Sequence, residues 1–131
     1  MGYRSEVVLA VTKEATPYFM AMLAKSPDTK RMCETAHEFT PDFDQEGGWL
    51  VHWSSIKWYE GYPEVDVIND FVDSMASEDL TEYGELENSG TRWTDHFIFV
   101  RVGEDCDDIR REGFGPWEIW PQTSIYIGPT I

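Results

Sequence analysis

Hydrophobic and polar residues follow two rhythms along this chain. Residues 6 to 11, EVVLAV, are an almost unbroken apolar, β-branched run, which predicts a strand covered on both faces and so in a sheet interior. In WLVHWSSIKWYE, Trp49, Val51 and Trp53 alternate with Leu50, His52 and Ser54, the period of two of a strand. DHFIFVRVG gives the clearest strand signal, with His96, Ile98, Val100 and Val102 on one face and Phe97, Phe99 and Arg101 on the other. The segment PWEIWPQTSIYIG reads as a further strand or short hairpin, in which Pro121 lacks an N–H and is confined to an edge or bulge.

Between these runs the period lengthens. Thr16-Pro17 supplies an N-cap and first helical position for PYFMAMLAKS, whose Phe19, Met22 and Leu23 share a face. Ser26-Pro27 ends or kinks that helix, DTKRMCETAHEF predicts a second helical piece, and TPDFDQEGG reads as a loop. From Pro63 onward, Val65, Ile68, Val72 and Met75 recur at spacings of three and four. The stripe packs on the sheet, with Glu64, Asp66, Asp70 and Asp73 looking outward. The order β-α-β-α-β-β predicts an α+β fold, a mostly antiparallel four-stranded sheet with helices packed on one face. A chain of 131 residues without repeat or linker predicts one compact domain, 1–131.

Charge narrows the partners. A net charge of -15, from 25 acids against 10 bases, repels nucleic acid and anionic membranes and attracts basic protein surfaces. An apolar fraction of 41% and an aromatic fraction of 15% argue for a packed core and against disorder. Cys33 and Cys106 form no CxxC, and the apolar stretch near the start is too short for a signal peptide. The cytoplasm is therefore the expected compartment.

The densest chemistry lies in VRVGEDCDDIRREG. Glu104, Asp105, Asp107 and Asp108 resemble a hard-cation cluster, but in EF-hand spacing Arg110 stands where the glycine belongs and no glutamate closes the loop. Capping rules explain more of the letters. Glu104 and Asp105 cap a short helix, Asp107 and Asp108 favour its positive end, and Arg110 and Arg111 favour its negative end. Gly113 supplies a left-handed stop, and Asp107 and Arg111 are spaced for a side-chain pair. No metal or cofactor is expected. Cys33 and His37, four apart, suit a thiol and base on one helix face, but no third orienting group can be named. His52 and His96 read as structural. With no GxGxxG, GxSxG, P-loop, HExxH or deaminase pattern, no catalytic residue is nominated and a non-enzyme is expected.

The strongest asymmetry is elsewhere. Between Lys57 and Arg92 ten acids stand without a base. Carboxylates on one helix face recur about 5–6 Å apart, close to the phosphate spacing of ~7 Å or less along a nucleic-acid strand. The expected contact surface is Glu60, Glu64, Asp66, Asp70, Asp73, Glu78 and Asp79, anchored by Trp58 and Tyr59 and extended by Glu104, Asp105, Asp107 and Asp108. The alternative constellation is Arg4 or Arg101 with Trp53 and neighbouring rings, stacking on and neutralising a nucleotide.

The blocks MGYRSEV, IKWYEGYPEVDVI and FVRVGEDCDDI resemble, in the same order, segments of small accessory proteins of tailed bacteriophages. The resemblance covers under a third of the chain and brings no catalytic residue with it. It implies an accessory product acting inside an infected bacterial cell. Joined to the acidic segment, it leads to the expectation of a non-enzymatic inhibitor of a host nucleic-acid-binding defence complex, anti-CRISPR-like or anti-restriction-like, acting by nucleic-acid mimicry. The alternative is a sponge that sequesters a nucleotide immune signal.

Overall fold

In a computed structural model, which describes residues 2–77, 92–105, 107–121 and 125–128, strand β1 (Ser5–Val11) lies at the centre of a five-stranded sheet. The cause is its apolarity on both sides. Val7, Leu9 and Val11 are buried on one face and Val8 and Ala10 on the other. β3 (Trp49–Ile56) and β4 (Phe97–Gly103) flank it antiparallel, with Val11 opposite Trp49 and Phe97. β2 (Glu38–Pro41) and β5 (Ile109–Glu112) close the edges, giving the order β2-β3-β1-β4-β5 with every neighbouring pair antiparallel.

Three helices cover one face. α1 (Thr16–Lys25) buries Phe19, Met22 and Leu23, and α3 (Pro63–Ser77) buries Val65, Ile68, Phe71, Val72 and Met75. Between them α2 (Pro27–Glu34) begins at Ser26, whose hydroxyl accepts the Thr29 N–H at 3.4 Å. The Thr29 hydroxyl donates to the Glu64 carbonyl at 3.1 Å, tying α2 to the first turn of α3. Against these helices lie Val51, Trp53, Phe97 and Phe99 from the sheet.

The opposite face is covered as well. β6 (Ile119–Pro121) and β7 (Ile125–Ile127) form a two-stranded ribbon, which packs Ile119 and Ile125, with Trp117 just before it, on Val8, Ala10, Leu50, Ile98, Val100 and Val102. Polar side chains pin this layer. Glu6 accepts the Ile125 N–H at 2.7 Å and lies 2.7 Å from His52 Nε2. Buried Asp44 accepts the N–H groups of Glu46 and Gly48 at 3.0 Å and the Trp117 indole N–H at 3.3 Å.

The α+β class, the central β1 and the faces of β3, β4, α1 and α3 agree with the sequence pattern. The four-strand count and the order β-α-β-α-β-β do not, and the last expected strand forms the separate β6–β7 ribbon instead of joining the main sheet. Residues 38–41, expected as the end of a helical piece and the start of a loop, form edge strand β2, because α2 stops at Glu34 and Phe39 packs its ring on Trp49 at 4.9 Å. Residues 109–112, expected within a short capped helix, form edge strand β5. A helix there would leave the outward N–H and C=O groups of β4 without partners; as a strand the segment supplies them. Gly113 does adopt φ +88°, but it ends a strand and not a helix, and a Cβ on it would run into the Phe97 carbonyl.

Candidate partner-binding surface

The β4–β5 connection gathers the acidic residues around one arginine. Arg101 projects toward the helix layer and holds Asp108 with two parallel bonds, Nη2 to Oδ1 at 2.7 Å and Nη1 to Oδ2 at 3.1 Å. The Tyr3 hydroxyl donates to Asp108 Oδ2 at 2.8 Å and accepts the Asp105 N–H at 3.1 Å. The Arg4 N–H donates to Glu104 at 2.7 Å. Hence the chain start is sewn to the hairpin. Gly103 is required at this seam, since a Cβ would strike the Tyr3 hydroxyl and the Asp108 carboxylate.

Electrostatics follow the geometry. Hydrogen bonds from Arg101, then from Tyr3, hold the Asp108 carboxyl below the usual aspartate value. Arg101 is raised by the bond to Asp108, with a smaller Coulombic contribution from Glu60. For Tyr3, the Asp105 N–H lowers the pKa, but desolvation and the Asp108 bond outweigh it and the phenol is raised.

Arg110 forms the second seam. It pairs with Asp73 at 2.6 Å, reaches Asn69 at 3.4 Å and lies over the Phe99 ring at 5.4 Å. α3 therefore sits beside the β5 edge, whereas Glu104 lines a groove with Ser54 and Val102 on the opposite face of the sheet, so the expected acids do not all share one face. They are also not equivalent. Asp66 accepts the Gly61 N–H at 3.0 Å, Asp73 is neutralised by Arg110, Asp108 by Arg101, and Glu64 is half-buried. The outward acids are Glu60, Asp70, Glu104, Asp105 and Asp107, all exposed. Glu78 and Asp79, with Glu82, Glu85, Glu87 and Cys106, lie outside the described residues.

The aromatic anchors are corrected. Trp58 is 9% exposed, donates its indole N–H to Asn69 at 3.2 Å and packs on Trp53 and Phe99 at centroid distances of 5.2 and 6.0 Å. It is core, because the stripe of α3 and the face of β4 close over it. Tyr59 is half-buried against Tyr62, and Tyr62 is the exposed ring at this turn. Its position just before Pro63, outside the apolar stripe of α3, was the signal available in the sequence.

The nucleotide constellation is also not assembled. Trp53 is buried under the helices with its N–H on the Met32 carbonyl, and Arg101 is occupied by Asp108. Arg4 lies on the other face, where it lines a shallow groove of about 360 Å³ with Ser54, Val102 and Glu104. Cys33 and His37 do not share a helix face. Cys33 is core, its thiol pushed up to about 12 by burial and then by Glu34, whereas His37 lies beyond α2 with its ring edge-on to His52 at 5.4 Å. Among the described residues no group of three or more His, Cys, Asp or Glu side chains is placed to hold a metal ion. No helix among them is long and apolar enough to cross a membrane. The chain matches no protein-family model, no curated protein and no solved structure.

Proposed function

We propose that this protein is a non-enzymatic inhibitor that occupies the basic nucleic-acid-binding surface of a host defence complex. One observation supports the reading most directly. Glu60 and Asp70 from the α3 region and Glu104, Asp105 and Asp107 from the β4–β5 turn are all exposed, while Arg101 and Arg110 already carry intramolecular carboxylate partners. These acids keep their outward negative charge while Arg101 and Arg110 are occupied elsewhere, the kind of charge that a phosphate-bearing strand presents. The carboxylates pair with lysines and arginines that would otherwise hold phosphate, and Tyr62 supplies an exposed ring.

The test separates charge from fold. The quadruple variant Glu60→Gln, Asp70→Asn, Asp105→Asn, Asp107→Asn changes no side chain in the Arg101–Asp108 or Arg110–Asp73 pairs and should keep the wild-type melting curve. In pull-downs from bacterial lysate, wild type should retain nucleic-acid-binding proteins that double-stranded DNA and raised salt release, since exposed charges are screened over ~8 Å at physiological ionic strength. The variant should lose them. Capture that DNA does not compete with, or that survives in the variant, refutes the mimic.

A further inference from the structure

We propose that the open edge of β5 is a docking edge for an extended acidic protein segment, which joins the sheet as an added strand. This goes beyond the acidic-surface reading and stands on other residues. The Gly103 N–H donates to the Asp108 carbonyl at 2.8 Å, and in the β4–β5 register Arg101 faces Arg110 and Phe99 faces Glu112. Antiparallel alternation then turns the backbone groups of Arg110 and Glu112 toward β4 and those of Ile109 and Arg111 away from it. The Ile109 N–H is used locally by the Asp107 carbonyl at 3.1 Å. This leaves the Ile109 carbonyl and both backbone groups of Arg111 facing outward, and β5 is the last strand on that side among the described residues.

The side chains along this edge select the occupant. Ile109 is 42% exposed and Phe114 68%, the latter the most exposed large apolar side chain described. Arg111 shares a face with Ile109, lies 5.9 Å from the Phe114 ring, and has no carboxylate partner among the described residues. Arg110, on the other face, is already paired with Asp73 and Glu112, so Arg111 is the cation available to a partner along this strand. An edge with open hydrogen-bonding groups, an apolar contact and the unpaired Arg111 suits an extended segment that alternates apolar and acidic residues. Charged side chains on an edge usually prevent pairing between copies, and here they do so selectively. In the two antiparallel self-registers that overlap three of the four β5 residues, either Arg110 or Arg111 meets its own copy across the twofold axis. The net charge of -15 adds repulsion between copies.

The experiment is an amide-resolved NMR titration of the full chain with two end-blocked octapeptides, one alternating valine and glutamate and the other valine and lysine. The glutamate peptide should shift the Ile109 and Arg111 amides saturably and slow hydrogen exchange at Arg111, while the lysine peptide binds at least about tenfold more weakly. Arg111→Glu, at an exposed position, should keep its melting temperature and reverse the preference. No saturable shift at β5, equal response to both peptides, or an unreversed preference in Arg111→Glu each overturns the proposal. So does sedimentation showing that the chain dimerises through β5, because the occupant is then a second copy.

Discussion

Replacing Asp108 by asparagine tests whether the Arg101 seam holds the acidic turn in place. The change keeps the side-chain shape but removes the charge from two bonds to Arg101, at 2.7 and 3.1 Å, and from one to Tyr3 at 2.8 Å. Hydrogen bonds to charged groups contribute about 1.5–3 kcal/mol when sheltered. Here the side chains are 20% and 39% exposed, so the pair lies between an open surface pair, worth about 0–1 kcal/mol, and a fully buried one, whose breaking costs about 3–5 kcal/mol. The expected loss is about 1–2 kcal/mol, a fall in melting temperature of roughly 4–8 °C for a domain of this size. A double-mutant cycle with Arg101→Met, read by urea unfolding, should give a coupling energy near 1 kcal/mol. If the two losses simply add within about 0.5 kcal/mol, the seam is not an interaction and the reasoning fails. Asp108→Asn should also leave partner capture nearly intact at temperatures where the variant is folded, because Asp108 is neutralised internally and the exposed acids remain.

Other outcomes follow from the same contacts. Asp108 is depressed when folded, so its contribution is present above its ordinary value of 3.8 and disappears as pH falls through and below it; the urea-midpoint gap between wild type and Asp108→Asn should close in that window. A gap that persists unchanged to pH 2 refutes the assignment. Tyr3 is raised, so its contribution is present below its ordinary value of 10.0 and is lost as pH climbs above it; Tyr3→Phe should remove that alkaline component. Cys33, core and pushed up to about 12, should resist iodoacetamide at pH 8 in the native protein and react once urea unfolds it, as read by mass spectrometry of its peptide. Gly113→Ala should cost about 2 kcal/mol or more, because φ +88° is strained with a Cβ and that Cβ meets the Phe97 carbonyl; a wild-type melting curve contradicts this.

The stretch from Glu104 to Gly113 shows where local reading stops. Its acids, arginines and closing glycine obey helix-capping rules, yet it folds as a turn and a strand. What decides is absent from the segment itself: β4 offers a row of unpaired backbone groups, and Arg101 and Tyr3 draw Asp108 into place. Trp58 and Tyr62 make the same point for the aromatic anchors. The position of Tyr62 just before Pro63 hinted at its exposure, but only the packing shows that α3 closes over Trp58 and leaves Tyr62 outside.

From the letters alone came everything that depends on period and composition: the doubly apolar β1, the facing residues of β3 and β4, the buried stripes of α1 and α3, and the uneven charge between Lys57 and Arg92. Such features are local, since the spacing of apolar residues determines which face is buried wherever the element ends up. Only the tertiary structure decided the short edge strands β2 and β5, the ribbon over the second face, and which carboxylates remain outward. Those outcomes depend on partners far along the chain, where hydrogen-bond satisfaction and ion pairing are settled by contacts that no short stretch of sequence contains.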